Sequence, residues 1–84
     1  MNNQELDDLI LAYFEVKQVI LQLNFILSLI QAEIVRLTEE GNNQEEIDDL
    51  IQDSFVVTQV ILQLTFILSL IQAEIVRLSQ EDVA

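Results

Sequence analysis

Glu33-x-x-Arg36 and Glu74-x-x-Arg77 are the pairs whose types and spacing come nearest to a reactive motif. Residues three apart share one face of a helix, and four-helix di-metal proteins hold iron through Glu-x-x-His at that spacing. Here arginine stands where histidine would, and a guanidinium stays protonated and does not ligate metals. The spacing therefore predicts an i,i+3 ion pair finishing each helix. A second chemistry is open to the carboxylates alone. Glu33, Glu74 and Asp53 fall on a row otherwise filled by Ala12, Val19 and Ile26, or by Val60 and Ile67, and partly buried carboxylates share a proton or hold Ca²⁺ or Mg²⁺ through oxygen. Pairing with the arginines and with water is the simpler reading, so the expectation is no metal and no cofactor. The chain has no histidine and no cysteine, and no phosphate loop or activated nucleophile. We expect no catalytic residue and no enzyme activity.

Charge narrows the partners further. Fifteen carboxylates stand against Lys17, Arg36 and Arg77, a net charge of −12. Such a surface repels phosphate backbones and anionic headgroups, which argues against nucleic acid. Without cysteine, redox chemistry says nothing about compartment. Met1 is followed by polar and acidic residues where a signal peptide would carry a basic and then an apolar stretch.

These side chains must be positioned by helices. Leu9, Val16, Leu23, Ile30 and Leu37 form one row at a seven-residue repeat, and Leu6, Tyr13, Ile20, Leu27 and Ile34 form another, the period of packed helices. Ala12, Val19 and Ile26 make a third row. Asn2 and Glu5 are spaced as a capping box, so a helix is expected from about residue 4 to about 39. Gly41, the chain's only glycine, suits a left-handed stop. Asn43 with Glu46 repeats the cap, and a second helix is expected from about 44 to 81, with rows Leu50, Val57, Leu64, Ile71, Leu78 and Ile47, Ile61, Leu68, Ile75. Gln18 to Leu37 returns at Gln59 to Leu78 with Asn24 replaced by Thr65 as the one difference. The chain is thus a single hairpin over residues 1–84 with a repeat offset of 41, all-α and antiparallel because the connection at 40–43 is short.

Half of the residues are hydrophobic, more than two helices can hide from water. Phe14, Leu21 and Val35, with Phe55, Leu62 and Val76, form a second apolar arc, set apart by a narrow polar stripe of Lys17, Asn24, Gln31 and Thr38. A helix with two apolar faces needs more than one neighbour. The reading is a homo-oligomer, a dimeric four-helix bundle in the smallest case and a larger ring in the other. Its interface is expected at Leu9, Val16, Ile20, Leu23, Leu27, Ile30, Leu50, Val57, Ile61, Leu64, Leu68 and Ile71. Asn24 near Gln59, and Gln18 near Thr65, would bond across the seam, and Arg36 would come level with Asp48 and Asp49 as Arg77 does with Asp7 and Asp8. An unmatched amide in a core costs about 1–3 kcal/mol, so such a polar seam selects register and partner number; the equal alternative for Gln18, Gln22, Asn24, Ser28 and Gln31, and for Gln59, Gln63, Thr65, Ser69 and Gln72, is a weakly solvated outer surface. Phe14, Phe25, Phe55 and Phe66 are expected to serve packing.

The rival is a membrane bundle or pore. No charge falls between Lys17 and Glu33, or between Asp53 and Glu74. However, the fifteen uncharged residues of the first stretch are fewer than the roughly 20 that span a bilayer. Basic flanks and tryptophan are absent, and Gln18, Gln22, Asn24 and Gln31 are costly in hydrocarbon. A soluble product is expected ahead of a membrane one.

The repeated QVILQL and FILSLIQAEIVRL blocks, the EGNNQEE connection and the regular cap positions resemble computationally designed helical-hairpin homo-oligomers of the four-helix-bundle type. The resemblance covers the whole chain and implies a self-assembling scaffold with a buried hydrogen-bond network. The chain differs from soluble designs in its single lysine, and from membrane designs in lacking basic and aromatic belts. A natural, recently duplicated hairpin is the alternative origin, and acidic excess would then fit a salt-rich habitat.

Overall fold

A computed structural model describes residues 3–83 and contains two helices, α1 over Gln4–Glu40 and α2 over Gln44–Val83. They pack against each other as a hairpin, and there is no strand among the described residues. The chain is all-α. Helices of 37 and 40 residues at about 1.5 Å per residue make a rod of 64 × 14 × 13 Å.

Each helix begins and ends for local reasons. Asn2 lies outside the described residues, so the expected box with Glu5 is not seen. Asn3 takes the N-cap without a side-chain bond, and its carbonyl accepts from the Asp7 N–H at 2.9 Å. Glu5 and Asp7 sit in the first turn, where the helix dipole is positive. At the other end Gly41 is left-handed (φ 89°, ψ 0°) and its N–H reaches the Leu37 carbonyl at 3.2 Å. A Cβ there would meet no atom within 4 Å, so glycine is needed for its backbone angle alone. Asn43 does not rebuild a capping box. Its amide nitrogen donates back to Glu40 at 3.2 Å and its carbonyl accepts from the Ile47 N–H at 2.8 Å, tying the turn to the end of α1.

The core is a seam one layer thick. The two seven-residue rows of each helix are half-buried against the other helix, and among the described residues only Leu37 and Ile47, both beside the turn, are buried, with 2% and 9% of their surface exposed. At 6186 Å² the surface is about a fifth larger than the roughly 5,100 Å² expected of a globular chain of this mass. The surplus is apolar: all four phenylalanines point away from the seam, each more than 60% exposed. Phe14 does meet one aromatic, the Tyr13 ring edge-on at 5.4 Å, and none of the four packs between the two helices. The seam is filled by rows a third of a turn or more away from them.

Candidate functional site: the exposed faces of the hairpin

Arg36 lies between two carboxylates of its own helix. Its Nε donates to Glu33 Oε1 at 2.6 Å, Nη2 donates to Glu33 Oε2 at 2.8 Å, and Nη1 donates to Glu40. Arg77 repeats this with Glu74 and Glu81. The i,i+3 pairs are those the spacing predicts, and each is extended one turn by an i,i+4 partner. The guanidinium holds the Glu33 and Glu74 carboxyls below their ordinary range, first by hydrogen bonding and then by charge, and is itself driven further toward the protonated form. The cross-helix partners differ from the expected ones. The acid of the opposite helix that acts on Arg36 is Glu46, and on Arg77 it is Glu5, in place of Asp48, Asp49, Asp7 and Asp8.

The carboxylates do not converge. Gln72 Nε2 donates to Tyr13 Oη at 3.3 Å across the seam, which fixes the register and sets Glu74 level with the first turns of α1. Glu33 is therefore about 30 Å away along the rod, at 1.5 Å per residue. Among the described residues no three carboxylates gather as a metal site would need.

The polar residues turn inward on their own helices. Asn24 Nδ2 donates to the Ile20 carbonyl at 3.0 Å, Ser28 to Asn24, Thr65 to Ile61 at 2.8 Å and Ser69 to Thr65. Asn24 and Gln59 are exposed, and no bond joins them. The carbonyl four residues back is the nearest acceptor for a short polar side chain on the outer wall of a helix. Gln72–Tyr13 is the side-chain hydrogen bond that does cross between the helices, and it was not foreseen because Tyr13 read as a member of an apolar row.

Leu9, Val16, Ile20, Leu23, Leu27, Ile30, Leu50, Val57, Ile61, Leu64, Leu68 and Ile71 all lie in the seam within one chain, half-buried by the partner helix. What remains uncovered falls on two broad faces and a back. Ile10, Tyr13 and Phe14 share a shallow depression of about 370 Å³ with Gln72, Ile75 and Val76. The two sets occupy the same positions of the seven-residue period, with Lys17 Nζ 5.5 Å from the Tyr13 ring centre beside them. That face carries the polar stripe. The opposite face carries the third row, with Val19, Ile26, Val60 and Ile67 at 37–43% exposure, and the Arg36 and Arg77 clusters at its two ends.

No family description, curated protein or solved structure matches the chain. The class that the fold defines is an all-α helical hairpin, and the site it offers is an apolar surface.

Proposed function

We propose that the chain is a self-assembling helical scaffold without catalysis, built from hairpins that complete their core with further copies. One observation carries this reading: eighteen large hydrophobic side chains are exposed on the isolated hairpin, including every phenylalanine. Patches beyond a few hundred Å² are rare on proteins that stay single. The near-identical halves support a designed origin.

A second reading rests on a separate feature. The antiparallel register lays the uncharged stretches of α1 and α2 side by side, and both helices are long and apolar enough to cross a membrane, with windows of mean hydropathy 1.5 and 2.0. The shared belt from Lys17 to Glu33 is about 24 Å at 1.5 Å per residue, short of a hydrocarbon core of roughly 30 Å. That difference favours self-assembly in water.

Expression without detergent and light-scattering mass on a sizing column separates the two. A soluble peak at twice 9.7 kDa or a higher multiple is the expected result. A soluble single chain at micromolar concentration removes the scaffold reading, and recovery only with membranes replaces it by the second.

A further inference from the structure

We infer that two hairpins pair through the third-row face, with Val19, Ile26, Val60 and Ile67 at the centre of the contact; this rests on the self-assembly reading. The two helices repeat one sequence at an offset of 41 residues and run antiparallel. A half-turn about an axis perpendicular to the plane of the hairpin therefore carries α1 onto α2 and leaves each broad face on its own side. Residues at the same seven-residue position of the two repeats accordingly share a face. The shared depression of Ile10, Tyr13 and Phe14 with Gln72, Ile75 and Val76 shows this for the striped face. The pull of Glu46 on Arg36 and of Glu5 on Arg77 shows it for the other.

The two faces suit different neighbours. A helix in the core of a bundle presents three of every seven positions as apolar, two next to one partner and one turned toward a second. Here the hairpin itself covers two of the three rows. The third is the only one of the three that remains exposed along its middle, and it continues the seam sideways without a polar gap. On the striped face Asn24, Gln31, Thr58 and Thr65 interrupt the apolar surface, so docking there would strip water from polar side chains, of which Asn24 and Thr65 are already bonded to their own backbone.

Area points to a second copy as the occupant. Two chains of 6186 Å² reach the surface expected of a globular protein of the doubled mass only by burying about 3,900 Å² between them. Obligate homodimers bury roughly 2,000–5,000 Å². The Arg36 and Arg77 clusters then frame the contact at both ends, where their carboxylates are already held by arginine.

Because the chain has no cysteine, four single variants report which face is covered: Ile26→Cys and Ile67→Cys on the third row, Phe25→Cys and Phe66→Cys on the back. Alkylation rates are read in buffer and in urea, on protein whose mass is measured beside the unsubstituted chain. The expected result is a two-chain mass, with positions 26 and 67 slowed about tenfold or more relative to urea, as for groups reached only by opening, and with 25 and 66 near the urea rate. Equal reactivity at all four positions in a two-chain species overturns the face and leaves self-assembly standing. A single-chain mass overturns both. Protection at all four positions, or recovery only in detergent, overturns the two-hairpin unit in favour of further copies or lipid over the back.

Discussion

Arg36 and Arg77 each bridge two carboxylates along one helix wall, and they account for two of the chain's three basic residues. Each arginine stands one turn or more before the end of its helix, so the i,i+3 and i,i+4 pairs act through their own charge and hydrogen bonds. Hydrogen bonding to arginine lowers the Glu33 and Glu74 pKa below 4.5 in the folded chain. The stabilisation is therefore fully present above that ordinary value and is lost as pH falls through the lowered one. Helicity by circular dichroism, titrated from about pH 6 to about pH 2, is expected to fall less in Glu33→Gln/Glu74→Gln than in the unsubstituted chain over the acidic end. Parallel curves would show that the arginines contribute nothing to the helix ends. This motif was legible from spacing alone, since residues three apart on a helix must meet. The second carboxylate of each cluster was not, because Glu40 and Glu81 lie in what reads as a fraying end.

The two helices differ in what surrounds identical residues. Leu37 is buried beside the turn, with 2% of its surface exposed, while Leu78, the same residue one repeat later, stays half-open at the other end of the seam. Leu37→Ala is expected to cost about 2–4 kcal/mol, and Leu78→Ala about half that or less, both measured by urea unfolding. Equal losses would mean that Leu78 is covered to the same degree in the assembled protein. The helices and their seam rows follow from the seven-residue period, and their antiparallel order follows from the short connection between Glu40 and Gln44. The polar residues misled for a physical reason. A row of Gln, Asn and Thr reads as a cross-helix network, yet Asn24, Thr65 and Ser69 bond to the carbonyl one turn back, an acceptor that every helix supplies regardless of its partner.

A rod carrying a net charge of −12 and an apolar midsection sets two long-range forces against each other. If copies assemble as proposed, burial draws them together at about 25 cal/mol per Å², while like charge at the ends holds them apart over a Debye length of roughly 10 Å at 0.1 M salt. Added salt weakens only the second. The association constant from sedimentation equilibrium is expected to rise several-fold between about 0.05 and about 0.5 M NaCl, and a fall would show that ion pairs between copies, and not apolar surface, hold the assembly.

If copies meet as proposed, Gly41 gives the hairpin a kinetic memory. Its φ of 89° is the one left-handed residue in the described chain, and if the turn straightens, α1 and α2 fuse into a helix about 120 Å long. Since the repeats are nearly the same, a second straightened chain can meet every seam contact that the closed hairpin makes with itself, the condition for exchange of segments between copies. Two products of equal contact then differ only in how they were reached. Refolding from urea when dilute is expected to trap closed hairpins, and refolding when concentrated to trap interlaced pairs, told apart by energy transfer between dyes near the two ends of one chain. Gly41→Ala, which disfavours the left-handed turn and favours continued helix, is expected to raise the interlaced fraction. Its failure to do so would place the hinge elsewhere in the turn.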